Sequence, residues 1–470
     1  MSWKFGDLES VLAEFEGAQF GDKRLNRRLE QIIEALQSQP SKGFPEALGT
    51  DVAAEGLYRF LANERVTLLR ILEPHFQQTA ERVLREKDAL IIHDTTTFCF
   101  LGEAKRDGLC KITRDKQGFY GHFAFAVSGG SSNQPLGALG LEVFTRTRDK
   151  GRRPTRDILD DPSRESLRWQ KLVTEVANRL AGAADVIHVM DRQADGFELF
   201  DLMHKGEHRF VIRVHHDRKL AKTEQCEKLF SKLDQSEYVC EREVPLSPRK
   251  LSRLLQNSKR RTGRNYRLAT LAFRATTVEV DCPPDLRRRC LRSLNLNVVH
   301  VRELNVPQGL EPVDWKLVTT EPIESAEQIL KVVDIYRKRW LIEEYFKALK
   351  TGCAYEKRQL ESMTTLLNAL GLLVPIAYRL LLLRSMSRED ETASASLVLS
   401  ESQIILLRAR SRKPLPTPLT AHAALIAIAQ LGGHLKSNGP PGWIVLWRGY
   451  QKLLSLEEGW LLCAAASDQS

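Results

Sequence analysis

Two hydrophobic runs each deliver an aspartate, and together they restrict the fold more than anything else in the chain. ALIIHDTTTFCF (89–100) reads as a strand ending in Asp94 and a threonine run, and ADVIHVMD (184–191) reads as a buried strand ending in Asp191. GHFAFAV (121–127) and LGALGLEVF (136–144) supply two more strands. SRESLRWQKLVTEVANRL (163–180) has helical spacing, with Ser163 as a plausible cap, and is followed by a short helix (196–205) and the strand RFVIRV (209–214). Three strands, a helix, a strand, a helix and a strand is the order of a mixed sheet with helices on its faces. An acid at the end of a buried run is rigidly placed at a cleft, although a single such aspartate is commonly just a turn or cap residue.

The 470 residues, 42% hydrophobic, are too many for one small core and divide into several units. Residues 1–85 read as helical: Phe5, Leu8, Val11, Leu12 and Phe15 recur at helical spacing. Asp22 is placed to cap a helix bearing Lys23, Arg24, Arg27 and Arg28. QPSKGFPEALG (39–49) is a turn-rich connector and EGLYRFLANE a short helix. Residues 215–312 form a largely β insertion with the basic run SPRKLSRLLQNSKRRTGRNYRLA, and VDWKLVTT (313–320) is a strand returning to the core. Residues 360–470 are helical again, with RARSRKPLPTPLT (408–420) as a flexible linker. A net charge of +10 points to a polyanion, nucleic acid before membrane. The eight cysteines contain no CxxC pair, which argues against a zinc knuckle and for reduced thiols in the cytosol. The opening MSWKFGDLESVLAEFEG is acidic and amphipathic, unlike a signal peptide. LLNALGLLVPIAYRLLLLR (366–384) contains Asn368, Pro375 and Arg379, so it reads as a buried helix rather than a membrane span.

KVVDIYRKRWLIEEYFKALKTGC (331–353) reads as one helix. At about 100° per residue, Tyr336, Arg339, Glu343, Lys347 and Lys350 fall in one stripe of about 80°. The plain reading is a solvated face stitched by Arg339–Glu343 and Glu343–Lys347 pairs. The sharper one is a metal-binding carboxylate flanked by cations that grip phosphates. Asp94 and Asp191 favour the second: two strand-borne aspartates and a helix-borne glutamate form a set able to hold two Mg²⁺ ions, with Mn²⁺ as a substitute, about 3.5–4 Å apart. Hard oxygen ligands argue against zinc.

The spacing Tyr336-x2-Arg339-x3-Glu343-x6-Lys350 follows the Y-R-E-K signature, and it stands in order with FGDKRLNRRL, LYRFL, HDTTT, MDRQAD, RFVIR and WKLVTTEPIES. On these blocks the chain resembles the bacterial insertion-sequence transposases of the DDE class over nearly its full length. The resemblance implies an α/β fold: an RNase H-like mixed-sheet catalytic domain (71–358) with the β-rich insertion, between a helical end-binding domain (1–70) and a helical dimerisation domain (359–470). It implies Asp94, Asp191 and Glu343 as the catalytic and metal-binding triad. It implies Tyr336, Arg339, Lys347, Lys350 and Arg213 as contacts to transposon-end DNA. Trp315, otherwise an ordinary core aromatic, matches a residue that stacks on a flipped base, and Arg24, Arg27, Arg28 and Arg59 match further DNA contacts. The implied partners are double-stranded DNA and a second copy of the chain, in the bacterial cytoplasm at the nucleoid. The implied reaction nicks each end, forms and opens a hairpin, and joins the 3′ hydroxyl to target DNA. An end-binding relative that does not cut, or a structure-directed nuclease, are the competing classes; loss of a triad member or of the first helices would favour the former, and neither is seen in the sequence.

Overall fold

The computed structural model describes residues 11–38, 42–86, 88–102, 105–130, 133–146, 155–182, 185–222, 224, 226–246, 267–389, 394–397, 399–411, 413–435 and 441–467. The readings of Phe5 and Leu8, and of the basic run over 247–266, lie outside these residues.

The N-terminal region is helical. Asp22 accepts the Arg24 backbone N–H at 2.9 Å and starts α1 (Lys23–Ser38). The supposed connector contains a short helix, α2 (Phe44–Leu48), because Pro45 suits a first turn and Gly49, at φ 74°, supplies the left-handed stop. The hydroxyls of Thr50 and Thr67 cap α3 (Asp51–Leu61) and α4 (Leu68–Arg85).

The centre is a ten-stranded mixed sheet. β1 (Ala89–Leu101) pairs antiparallel with β3 (Lys116–Ser128), whose far edge takes both the short β2 (Cys110–Lys111) and β4 (Pro135–Phe144). After α5 (Thr155–Asp160) and α6 (Leu167–Leu180), β5 (Val186–Met190) lies parallel to β1. Ser163 does not cap α6: its hydroxyl is taken by Asp161 at 2.6 Å, and the helix starts four residues later. Then come α7 (Phe197–Lys205) and β6 (Arg209–Val214), parallel to β5.

The β-rich segment is not a separate sheet. After α8 (Leu229–Gln235), the strands β7 (Cys240–Leu246), β8 (Arg267–Asp281), β9 (Ser293–Glu303) and β10 (Asp314–Thr319) continue the central one in the order β6-β10-β9-β8-β7. β10 makes the join by pairing antiparallel with both β6 and β9.

Residues 331–353 are three pieces rather than one helix: the end of α9 (Ala326–Lys338), α10 (Trp340–Lys347) and a π turn, Ala348–Gly352. α9 opens with a capping box between Ser325 and Gln328. Tyr345 stacks on Phe125 at 4.4 Å between ring centroids, so this segment is packed directly on the sheet. α11 (Met363–Glu389) follows, then α12 (Glu401–Arg410), α13 (Ala421–Leu431) and α14 (Trp443–Ser467). Met363–Leu382 is long and apolar enough to cross a membrane, but its most apolar window is 83% buried inside the fold. Its Asn368 amide donates to the carbonyls of Leu61 and Val66 at 2.9 and 2.8 Å, as a core helix tying down a neighbour does.

Candidate active site

β1 and β5 are in parallel register up to His93↔Met190, which sets Asp94 level with Asp191. The sequence reading put Asp94 at a strand end. In fact β1 runs on to Leu101, paired beyond this point with β3 on one side and no longer with β5. Asp94 therefore stands at the notch where β5 stops. Asp191 is the residue just beyond β5, and its Oδ1 accepts the Gln193 backbone N–H at 2.8 Å. It thus acts as a cap, as the plain reading holds, while facing the same notch.

α10 brings the third acid. Arg339 lies between α9 and α10, with a tightened turn in which its N–H meets the Tyr336 carbonyl at 3.1 Å. Its guanidinium forks: Nη1 donates to Asp94 Oδ2 at 2.7 Å and Nη2 to Glu343 Oε1 at 2.8 Å. Burial lifts the Asp94 carboxyl to about 6; repulsion from Asp191 and Glu343 adds to this, against the pull of Arg339 and the Thr95 amide.

Tyr336 is buried beside Arg339 and Arg213, its phenol pushed up by burial against those two guanidiniums. Trp315, half-buried on β10, meets Tyr336 edge-on at 5.4 Å between centroids. Arg213, on β6, also donates to the Asp314 carbonyl at 3.2 Å. These residues line one side of the notch.

The two lysines part company. Lys347 does not pair with Glu343; its ammonium binds Glu344 at 2.6 Å and lies over the exposed Trp340 ring. Lys350 sits in the π turn, where the Cys353 N–H reaches back five residues to the Ala348 carbonyl at 2.8 Å. This widening aims Lys350 at the strand: its Nζ donates to the Thr97 carbonyl at 2.5 Å and lies 3.8 Å from Glu356. Glu356 itself accepts the Cys99 N–H at 2.9 Å, a role the sequence reading missed because a lone acid in AYEKRQL carries no pattern.

Arg24, Arg28 and Arg59 line a cleft of about 440 Å³, joined by Arg65. Arg24 pairs with Asp22 and Arg59 with Glu55. Arg27 is exposed on the same helix, outside that lining. Gly56 was also missed: a Cβ there would stand 2.7 Å from Arg28 Nη1, so the glycine lets that side chain pass.

Asp94, Asp191 and Glu343 offer the hard oxygen donors that suit Mg²⁺ or Mn²⁺. Among the described residues, Asp195, His215 and His216 are the group whose ligand atoms all lie within 4.8 Å of one another. Asp195 is already committed there: it accepts the backbone N–H groups of His215 and His216 at 2.7 and 2.8 Å and pairs with Arg218. The notch carboxylates have instead a guanidinium between two of them, a positive charge where a cation would otherwise balance them.

Residues 10–66 match the family model described as Transposase DNA-binding, and residues 168–379 match that described as Transposase DDE domain. The chain carries the two domains of a DDE transposase. It is thereby an enzyme acting on DNA, in transposition and recombination. The first span contains Arg24, Arg27, Arg28 and Arg59; the second contains Asp191 and Glu343, while Asp94 precedes it. A solved structure of a piggyBac transposase synaptic complex with hairpin DNA is similar at 10% identity and a TM-score of 0.36, over 83% of this chain and 73% of that chain. That likeness is too distant to assign chemistry.

Proposed function

We propose that the chain is a cut-and-paste transposase of the bacterial insertion-sequence group, cutting DNA with Asp94, Asp191 and Glu343. The observation that carries the reading is the Arg339 fork, which draws Asp94 and Glu343 together from opposite ends of the catalytic region, beside Asp191. The strand order β4-β3-β1-β5-β6, antiparallel then parallel, supports an RNase H-like core over 71–358. End binding falls to 1–70 and dimerisation to 359–470.

Asp94, Asp191 and Glu343 would hold two divalent ions, Mg²⁺ or Mn²⁺, whose chemistry when bound would be activation of the attacking oxygen and charge balance at the leaving oxygen. The chain's own groups do the rest. Arg339, Arg213 and Tyr336 present donors to the phosphates of the transposon end. Lys350, held at Thr97, extends that grip along β1, and Lys347 adds charge at the outer face. Trp315 offers a ring beside Tyr336 on which a base displaced by a tight hairpin stacks. Arg24, Arg27, Arg28 and Arg59 meet the terminal repeat. The chain works as a homodimer on double-stranded DNA, in the bacterial cytoplasm at the nucleoid.

The test is cleavage of the element's own terminal repeats by purified protein with Mg²⁺. Nicked, hairpin and opened ends are expected in that order. Trp315→Ala is expected to slow hairpin formation by about 5- to 150-fold while first nicking proceeds, since stacking on an aromatic is worth about 1–3 kcal/mol per base. Equal loss of both steps returns Trp315 to a packing role.

A further inference from the structure

Three carboxylates border the notch, and among the described residues Arg339 is the cation that reaches between two of them. Arg339 is mostly buried, and each arm of its fork is spent on a different acid: Asp94 Oδ2 at 2.7 Å and Glu343 Oε1 at 2.8 Å. Asp94 Oδ1 accepts the Thr95 N–H at 2.7 Å, and Asp191 Oδ1 the Gln193 N–H at 2.8 Å. Bare carboxylates at such range repel, and a guanidinium is a planar fork able to satisfy two acids at once. Yet the oxygens it takes, Asp94 Oδ2 and Glu343 Oε1, are among the donors that a metal ion on these two acids would use.

We infer that Arg339 is the internal counter-ion of the carboxylate site and competes with a divalent cation for Asp94 and Glu343. The inference rests on the metal-ligand reading proposed above. Its consequence is a linkage: whatever draws the guanidinium off the acids raises the affinity for the cation, and a phosphodiester has the charge and fork geometry to do so. One residue then serves the acids in the empty site and the DNA strand in the loaded one.

The experiment is Mn²⁺ binding to the full-length, DNA-free protein, followed by the spin-resonance signal of free Mn²⁺, with Tm measured alongside. Arg339→Gln is expected to bind Mn²⁺ about tenfold or more tightly than wild type, since it removes a full positive charge held against Asp94 and Glu343. Mn²⁺ is also expected to raise its Tm further than that of wild type. Arg339→Lys, which keeps the charge but cannot fork, is expected to fall between the two and serves if the glutamine variant folds poorly. Asp94→Asn, Asp191→Asn and Glu343→Gln are expected to lose Mn²⁺. If they do, and Arg339→Gln and Arg339→Lys bind no more tightly than wild type, the counter-ion role is overturned while the metal site stands. If the three acid variants keep wild-type Mn²⁺ binding, the metal-ligand reading fails and this inference falls with it.

Discussion

Behind the aspartates lie three buried imidazoles. His93 Nε2 meets His188 Nδ1 at 2.8 Å, and His122 Nδ1 meets the Thr95 hydroxyl at 2.9 Å. Burial depresses all three, His122 and His188 to about 3, so they stay neutral in the fold. The unfolded chain, with ordinary imidazoles near 6.5, takes up protons that the folded chain refuses. The stabilisation is complete above about pH 6.5 and is lost as the pH falls toward 3. Urea unfolding is therefore expected to need less denaturant at pH 5 than at pH 7.5, by an amount on the order of 1 kcal/mol per histidine per pH unit, and His122→Phe is expected to flatten that slope. The layer was partly legible: in ALIIHD and VIHVMD the histidines sit within buried runs, one and three residues before the acids. Their mutual contact was not, since it depends on strand register. Likewise the sequence named Lys347 beside Glu343, but helical spacing does not say which of two adjacent glutamates a flexible ammonium will choose.

At the scale of elements, an ideal helical wheel misled over 331–353 in a useful way. It joined Tyr336, Arg339 and Glu343 correctly, because they span few residues. It missed the tightened turn at Arg339 and the widened one at Ala348–Gly352, since neither glycine nor proline marks the break before Gly352. The same segment divides two glutamates between two faces. Glu343 meets Arg339, whereas Glu344 meets Lys347 at 2.6 Å and Arg384 of α11 at 3.3 Å. Glu344→Ala strips a carboxylate from the mostly buried Arg384, so its expected effect is on stability: a loss of about 2–4 kcal/mol in chemical denaturation. Strand identities in the first half of the central sheet were legible from alternating or continuous apolar runs. That β7 to β10 extend this sheet rather than form their own was not, because edge pairing leaves no mark on a single strand's sequence.

Across the whole molecule, the N-terminal region is pinned to the C-terminal helices. Glu14 is fully buried and receives Arg82 through both oxygens at 3.0 and 3.1 Å, Arg379 at 3.0 Å and His75 Nδ1 at 2.6 Å. The Ala138 N–H donates to His75 Nε2 at 3.1 Å, so the ring's proton sits on Nδ1 and points to Glu14. Burial opposes ionisation of Glu14, but Arg82, His75 and Arg379 outweigh it and hold the carboxyl well below its usual range. A depressed carboxylate stabilises the fold above its unfolded pKa, and that contribution fades as pH drops below about 4.3. Glu14→Gln leaves two guanidiniums facing each other in the core and is expected to cost about 3–5 kcal/mol in unfolding experiments, most of it gone in strong acid. Nothing in the opening residues announced this anchor: its partners lie 61, 68 and 365 positions away (75 − 14, 82 − 14, 379 − 14), beyond the reach of local pattern.

In the proposed site Glu343, and not its neighbour, completes the cutting centre with Asp94 and Asp191. The direct measurement is the rate of first nicking on terminal-repeat DNA with Mg²⁺, for Glu343→Ala and Glu344→Ala side by side, each also tested for end binding. Glu343→Ala is expected to bind the ends and fail to nick them, while Glu344→Ala, though less stable, is expected still to nick. Normal nicking by Glu343→Ala, with loss in Glu344→Ala, would contradict it.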